Sequence, residues 1–378
     1  MIRPVHGGNL AWAAALAGCP PSAILDFSAS ISPLGPPESA LNAIQAHLSS
    51  LTAYPDPDYG ELRTALGEAL SVDPDWILPG NGSAELLTWA AWDLSKLEAT
   101  YLVTPAFGDY WRALSAFGAK VLKCPLELKL LDAEPGSRLV TDDLSVSNRS
   151  LVSPSFCLPV PLALDAHRRG LLLNNPHNPT GLLFAREAIL PYLEQLGLVV
   201  VDEAFMDFLP PEQQESSIDA VEEFPNLVIL RSLTKFYSLP GLRLGCAIAH
   251  PDILRRWQLQ RDPWPVNALA AAAAAAAVRD TVFERQTWDW LPVARRELFE
   301  GLANLPGLQP FAGAANFLLV ESSVSVSSIQ KSLLERHRIL IRDCLSFPEL
   351  GDRFFRVAVR SRADNLRLIA GLAEVISR

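Results

Sequence analysis

The chain has 378 residues, a length that suits one large domain and one smaller domain. With 49% hydrophobic and 20% charged residues, the composition is that of an ordinary globular protein. The net charge of −10 and the lack of a block of Lys and Arg argue against binding of nucleic acid or of an acidic membrane. Five scattered cysteines without a CxxC pair argue against a disulfide framework or a zinc site, so we expect no metal and a reducing, cytoplasmic setting.

Two stretches bear on a membrane role. Residues 1–12 lack a continuous apolar segment, so we predict no signal peptide. The longest apolar run, residues 268–278, is too short to span a bilayer, and its alanines favour a packed helix. We therefore expect no membrane partner.

Short apolar runs recur through the first two thirds of the chain, and each ends in a polar cluster. They are residues 76–78, 101–103, 171–173, 198–201 and 227–230. Helical patterns alternate with these runs, which predicts an α/β fold with a mainly parallel sheet. Since ligands collect at the carboxyl ends of parallel strands, the polar clusters are candidate site residues.

After residue 250 helical patterns dominate, with strand candidates at residues 316–320 and 354–359. We therefore predict three parts. Residues 1–34 form an N-terminal arm that contributes to the small domain and the substrate site. Residues 35–250 form the large domain, and residues 251–378 form a smaller α+β domain.

Lys235 follows the last apolar run of the large domain, in Ser232-Leu-Thr-Lys235. A single lysine in such a place is usually a solvated surface residue. Here Ser232 and Thr234 have hydroxyls that could bind a ligand. Arg243 has a planar guanidinium that suits phosphate and lies in Gly241-Leu-Arg-Leu-Gly245. A lysine whose pKa is lowered by burial or by nearby cations is a Schiff-base nucleophile.

Asp202 and Phe107 follow two other runs. The Asp202 carboxylate could keep a pyridine nitrogen protonated, while the plainer alternative is a helix cap or a solvated loop acid. Glu203 fits a structural role better than a catalytic one. Phe107 could stack on a cofactor ring, although an aromatic residue near a strand end is more often part of the core.

The remaining clusters suit phosphate and a phenolic oxygen. Gly82, Ser83 and Ala84 open a predicted helix whose free N–H groups could bind phosphate, with an ordinary serine cap as the alternative. Asn178, in a segment with two prolines and a glycine, could donate to a phenolic oxygen, although such a segment is also a plain turn.

Four motifs together resemble those of fold-type I pyridoxal-5′-phosphate (PLP) enzymes of the aspartate aminotransferase-like type. They are Gly80-Asn-Gly-Ser-Ala-Glu85, Asn175-Pro-His-Asn-Pro-Thr-Gly181, Val201-Asp-Glu-Ala-Phe205 and Ser232-Leu-Thr-Lys-Phe236. The resemblance covers nearly the whole chain and implies PLP held by Lys235 as a Schiff base, with Asp202 at its ring nitrogen. The further cofactor contacts that it implies are Gly82, Ser83, Ala84, Phe107, Asn178, Ser232, Thr234 and Arg243.

The resemblance also implies a homodimer with shared active sites, in which Tyr54 reaches a cofactor phosphate across the dimer. Two branches of the family compete, the histidinol-phosphate aminotransferases and the L-threonine-O-3-phosphate decarboxylases. The chain is similar to the decarboxylases in His6-Gly-Gly-Asn9, in Ile339-Leu-Ile-Arg-Asp-Cys344 and in Phe205, where the aminotransferases usually carry Tyr. This branch implies conversion of O-phospho-L-threonine to (R)-1-amino-2-propanol O-2-phosphate for the cobalamin nucleotide loop.

A substrate with a phosphate and a carboxylate requires two anion-binding groups. Arg342 and Arg356 could supply bidentate contacts, although a surface ion pair is the commoner role of a single arginine. His6, with the N–H groups of Gly7 and Gly8, could form a phosphate nest, while a frayed terminus is equally common. The predicted substrate-binding residues are His6, Gly7, Gly8, Asn9, Ser30, Asn178, Arg342 and Arg356.

Two alternatives to phosphothreonine decarboxylation in this family remain open. Ser30 and Ser32 stand where the decarboxylases tend to carry Asn, which leaves O-phosphoserine as a substrate. Transamination by a histidinol-phosphate aminotransferase or a related enzyme is the other. A third hypothesis, a binding module that has lost catalysis, is disfavoured by the intact Asp202 and Lys235.

Overall fold

The computed structural model describes residues 7–126, 160–161 and 165–377. Within these ranges the strands are β1 (Leu25–Asp26), β2 (Ile77–Gly80), β3 (Ala99–Thr104), β4 (Val121–Pro125), β5 (Arg169–Asn174), β6 (Leu198–Asp202), β7 (Leu227–Ser232), β8 (Gly245–Ala249), β9 (Leu308–Pro310), β10 (Phe317–Ser322), β11 (Ile339–Leu340), β12 (Arg342–Asp343) and β13 (Phe354–Ala358).

The α-helices of the same ranges alternate with the strands in the first half of the chain and dominate the second half. They are α1 (Leu10–Ala17), α2 (Glu38–Ala46), α3 (Gly60–Leu70), α4 (Ser83–Leu94), α5 (Gly108–Ala116), α6 (Leu190–Leu193), α7 (Leu233–Phe236), α8 (Pro251–Gln258), α9 (Ala268–Ala277), α10 (Thr281–Ala303), α11 (Val326–His337) and α12 (Arg362–Ile376).

A mixed sheet of seven strands forms the centre of the large domain, in the order β2-β8-β7-β6-β5-β3-β4. Strand β8 runs antiparallel to both of its neighbours, and the other neighbouring pairs are parallel. Val199 and Val201 belong to one core cluster and Val200 to another, so both faces of β6 are covered. Because successive side chains point to opposite faces, a strand buried on both sides reads as a continuous apolar run. The predicted α/β class is confirmed.

The small domain contains an antiparallel sheet in the order β12-β13-β10-β9. The described part of the N-terminal arm packs on this domain, where β1 pairs in parallel with β11 in a separate two-stranded sheet. Ala13 and Ala14 of α1 share a small apolar cluster with Leu334 of α11 and Leu340 of β11. This packing brings residues 7–34 close to the arginine-bearing strands of the small domain.

The packing around residue 251 bears on the proposed domain boundary. Trp257 of α8 lies in the same core cluster as Leu78 of β2 and Ala247 of β8, and α9 packs against α2 and α3. Helix α10 contacts both domains. The ring centres of Phe283 in α10 and Phe236 in α7 are 6.0 Å apart, and α10 also packs on α12 and β9. Residues 251–277 thus pack on the elements that precede them, and α10 contacts elements on both sides of residue 251.

Three findings apply to the described ranges alone. No helix there is long and apolar enough to cross a bilayer. No group of three or more His, Cys, Asp and Glu side chains there could hold a metal ion. Cys19, Cys124, Cys246 and Cys344 are free thiols.

Candidate active site

The polar ends of the central strands lie along one edge of the sheet. Asp202, at the end of β6, pairs with Asn174 of β5 and Leu230 of β7. Gly245, at the start of the antiparallel β8, pairs with Gly80 and with Ser232. Because β8 begins where its neighbours end, the predicted clusters of four strands meet at this edge.

Lys235 lies in the short helix α7 directly after β7. Its Nζ donates a hydrogen bond to Ser232 Oγ at 3.1 Å and lies 5.1 Å from the centre of the Phe205 ring. Burial lowers the pKa of Lys235 to about 8; Asp202 opposes this shift, while the positive charges of Arg243 and Arg356 reinforce it. An amine with this pKa is partly neutral near pH 7, as a Schiff-base nucleophile has to be.

Asp202 is held by two donors from different parts of the fold. Its Oδ2 accepts a hydrogen bond from the Tyr110 hydroxyl at 2.8 Å, and its Oδ1 accepts one from the Ala204 N–H at 3.0 Å. Burial raises the pKa of Asp202, whereas Lys235 and Tyr110 lower it. The carboxylate therefore lies in a fixed position beside an amine, as an acceptor for a protonated ring nitrogen requires.

Two anion-binding groups meet at the start of α4. Gly82 has a φ of +77°, and a Cβ there would lie 2.6 Å from Arg243 Nη2, so a side chain at this position would displace the guanidinium. A Cβ at Gly245 would lie 2.6 Å from the Ser83 nitrogen. The glycines thus let Arg243 and the N–H groups of Ser83 and Ala84 come together, an arrangement suited to phosphate.

Arg342 and Arg356 face each other directly across the antiparallel pair β12–β13. Both are buried, at 6% and 9% exposure, which overturns the surface ion pair that is the commoner role for a single arginine. Arg356 Nη1 donates to Asn178 Oδ1, and its guanidinium lies 4.6 Å from the centre of the Phe317 ring. Burial, followed by the charge of Arg342, lowers the pKa of Arg356 to about 10. Arg342 Nη2 donates to Ser346 Oγ at 2.6 Å. Like charges directly opposite each other across a strand pair are destabilising.

A chain of contacts connects this arginine pair to the lysine. The Arg356 guanidinium lies over the Phe317 ring. Phe317 packs edge-on against Phe205, with ring centres 5.0 Å apart, and Phe205 in turn lies beside Lys235 Nζ. Arg356 Nε is buried and has no hydrogen-bond partner among the described residues. Two aromatic rings thus connect a buried guanidinium with a donor still available to the amine of Lys235.

The N-terminal arm reaches the same region. Gly7, Gly8 and Asn9 line a small pocket together with Arg342. However, the Gly8 N–H donates to Ser28 Oγ at 2.7 Å, so the predicted phosphate nest loses this donor. Asn9 Oδ1 caps α1 by accepting from the Trp12 N–H at 2.9 Å, which leaves only its amide N–H groups for a ligand. His6 lies outside the described residues.

Three further predicted residues have distinct environments. Ser30 is buried, its Oγ has no partner within the described ranges, and the nearby Ser32 N–H donates to the Lys235 carbonyl at 3.0 Å. Phe107 directly precedes α5. Tyr54 stacks on Trp264, with ring centres 4.4 Å apart. Because Tyr54 is 79% exposed, its side chain is accessible to a second molecule.

Tyr110 and Phe317 contact Asp202 and Arg356, although no motif in the sequence indicates them. The spacing of Phe107 and Tyr110, three residues apart at the start of a helix, is the signal that could have indicated a shared role for Tyr110. Glu203 is fully buried and pairs with Arg231 at 2.9 Å, in agreement with the structural role expected for it.

Comparisons with known proteins agree with this geometry. The family described as "Aminotransferase class I and II" matches residues 22–372. The chain is 38% identical to the threonine-phosphate decarboxylase of Salmonella typhimurium, over 100% of this chain and 98% of that protein. It is 29% identical to the adenosylcobalamin biosynthesis bifunctional protein CobDQ of Leptospira interrogans, over 99% of this chain and 41% of that protein.

Among solved structures, the fold is similar to that of the histidinol-phosphate aminotransferase from Sinorhizobium meliloti, crystallised in complex with pyridoxal-5′-phosphate. The TM-score is 0.77 at 23% identity, over 98% of this chain and 94% of that chain. This likeness concerns the fold.

Proposed function

Because the chain belongs to the aminotransferase class I and II family, we propose that it is a PLP enzyme that decarboxylates O-phospho-L-threonine. The products are CO₂ and (R)-1-amino-2-propanol O-2-phosphate. The full-length match to a threonine-phosphate decarboxylase supports this reaction, and the match to a bifunctional adenosylcobalamin biosynthesis protein supports a place in cobalamin synthesis. The observation that carries the substrate choice is the buried pair Arg342 and Arg356.

The residues present fit PLP at three of its functional groups. Lys235, with its pKa of about 8, suits the aldehyde, and Asp202 suits the ring nitrogen. The space kept open at Gly82 beside Arg243 suits the phosphate. When bound, PLP withdraws electrons from the Cα of the amino acid that it carries.

The arginine pair fits the charges of the substrate. O-phospho-L-threonine carries a carboxylate and a phosphate, and each can accept two parallel hydrogen bonds from a guanidinium. An anion between Arg342 and Arg356 would remove the repulsion of two buried like charges. Ser30 Oγ, buried and without a partner among the described residues, is a further donor for this ligand.

The orientation of the substrate at Cα decides which bond breaks, and this chain's residues control that orientation. Asn178 and the Phe317 ring fix the Arg356 guanidinium from two sides, so the carboxylate that it binds is held in one direction. In this proposal Lys235 anchors and releases the cofactor, while Arg342 and Arg356 select the Cα–carboxylate bond.

The alternatives are transamination and the decarboxylation of O-phosphoserine. Histidinol-phosphate aminotransferases share the fold, but Phe205 places no hydroxyl beside Lys235 where those enzymes usually carry Tyr. Ser30 and Ser32 stand where the decarboxylases tend to carry Asn, and the Ser32 N–H donates to the Lys235 carbonyl, so a different residue pair near the site keeps O-phosphoserine as an alternative substrate.

A carbon dioxide assay tests the proposed reaction. Purified protein loaded with PLP should release CO₂ from O-phospho-L-threonine without any keto acid, and more slowly from O-phosphoserine. Histidinol phosphate, which has no carboxylate, serves as the matched control. Product that forms only when 2-oxoglutarate is added would establish the aminotransferase instead.

Loading of PLP should show the unusual acidity of Lys235. Because burial lowers the pKa of this amine to about 8 and only the neutral amine attacks an aldehyde, the loading rate should rise with pH and level off above about pH 9. An ordinary lysine, with a pKa of about 10.4, would still gain rate there. Stopped-flow absorbance of apoprotein mixed with PLP measures this, and a rate without a plateau would contradict the lowered pKa.

We also propose that the enzyme is a homodimer with shared active sites. Tyr54 is 79% exposed, and Leu41, Leu48 and Leu51 are exposed apolar residues of the same stretch of chain. Trp264, 40% exposed, stacks on Tyr54 and extends this surface. A second copy would cover these side chains and place Tyr54 at the phosphate site of its neighbour.

A further inference from the structure

We propose that Tyr110 is a positioning residue for the reaction, which holds the Asp202 carboxylate in the orientation that suits the cofactor's ring nitrogen. This inference rests on the proposed PLP function. It concerns a residue of α5 that is far from Asp202 in sequence and that does not itself reach the substrate-binding arginines.

The contact is direct and buried. Tyr110 is 2% exposed, and its hydroxyl donates to Asp202 Oδ2 at 2.8 Å. The N–H of Ala204 donates to the other oxygen, Oδ1, at 3.0 Å. Each carboxylate oxygen thus has one donor outside the cofactor site, and two fixed donors prevent the group from rotating. The remaining lone pairs are left for the ring nitrogen.

Tyr110 also connects Asp202 to the predicted stacking residue. The rings of Phe107 and Tyr110 pack edge to face, with centroids 5.7 Å apart, and the Tyr110 N–H donates to the Phe107 carbonyl at 3.0 Å. One turn at the start of α5 therefore positions both the aromatic ring expected over the cofactor and the acid expected at its edge.

The phenol is suited to this role because it remains a donor. Burial, and then the charge of Asp202, raise the pKa of Tyr110 well above its ordinary value, so the hydroxyl keeps its proton. A neutral donor stabilises the carboxylate against the effect of burial without adding a cation, which would compete with a protonated ring nitrogen for the same charge.

The test is the variant Tyr110→Phe, which keeps the ring against Phe107 and removes only the hydroxyl. The dissociation constant of PLP from the apoprotein should rise about tenfold, and kcat should fall about tenfold with KM within about twofold, as expected for the loss of a hydrogen bond to a charged group. In an Asp202→Asn background the same substitution should add less than about twofold, because it acts through the carboxylate.

The matched control is Tyr237→Phe. Tyr237 is also buried, and its hydroxyl donates to a carboxylate oxygen, Glu284 Oε1, at 2.9 Å. This variant should leave PLP affinity and kcat within about twofold of the wild type. Wild-type values in Tyr110→Phe, or a loss of full size in the Asp202→Asn background, would overturn the inference. Wild-type protein that binds no PLP would instead overturn the proposed function.

Discussion

Replacement of Lys235 by alanine is expected to abolish the visible Schiff-base band of the purified protein. It should also lower kcat/KM on the order of 10⁵-fold, since the loss of a covalent catalytic group has effects of this size. The alanine variant has no amine that could hold the cofactor covalently. Any PLP that it binds should therefore have the spectrum of the free aldehyde and be removed by dialysis. Absorbance spectra before and after dialysis, with the CO₂ assay, measure both effects.

The control for this variant is Lys331→Ala. The Lys331 side chain on α11 is 64% exposed, and its Nζ lies 3.9 Å from Glu335 Oε1. Lys331→Ala should leave the Schiff-base band and kcat/KM unchanged, because exposed ion pairs of this kind contribute little. A visible band that survives in Lys235→Ala would mean that another amine carries the cofactor. The assignment of the site to the edge formed by β6 and β7 would then be wrong.

Replacement of Arg356 by alanine should lower kcat/KM for O-phospho-L-threonine about 10²- to 10³-fold. Truncation of one member of a buried, hydrogen-bonded charge pair costs about 2–5 kcal/mol, and Arg356 is buried against Asn178 and Phe317. If Arg356 also orients the carboxylate, kcat should fall together with the rise in KM. A lysine at this position should not restore activity, because it cannot make two parallel hydrogen bonds.

Arg362→Ala provides the comparison. Its side chain is 78% exposed, and its partner Glu297 lies 3.4 Å away. The Arg362→Ala variant also removes an arginine side chain of the C-terminal region, but one that lies outside the site. Steady-state kinetics with all three variants measure the effect. Wild-type kinetics in Arg356→Ala would remove this residue from the substrate site.

Much of the fold follows from local sequence. The helix expected to open at residues 82–84 and the alanine helix expected within residues 268–278 are α4 and α9. The five apolar runs are strands of one sheet. These predictions succeed because a strand or helix buried on its apolar face has a residue pattern that any neighbour would preserve.

Strands β4 and β8 were not predicted. Strand β8, Gly-Cys-Ala-Ile-Ala, is built mainly of small residues with weak preference for strands, and it is extended because β2 and β7 pair with it on both sides. Within the described residues strand β4 pairs only with β3, and of its five residues only Cys124 is buried. In both cases pairing with a neighbour, rather than local preference, decides the conformation.

The sequence by itself determined the family motifs and the candidate groups: Lys235 after β7, Asp202 at the end of β6 and the glycine turn before α4. Only the tertiary structure decided how they combine. Tyr110 and Asp202 are 92 residues apart, and Asn178 and Arg356 are 178 apart, yet each pair shares a hydrogen bond. Arg342 and Arg356 face each other only because of the register between β12 and β13. Local patterns specify which face of an element is buried, whereas contacts between elements depend on strand order, register and packing, which the whole chain sets together.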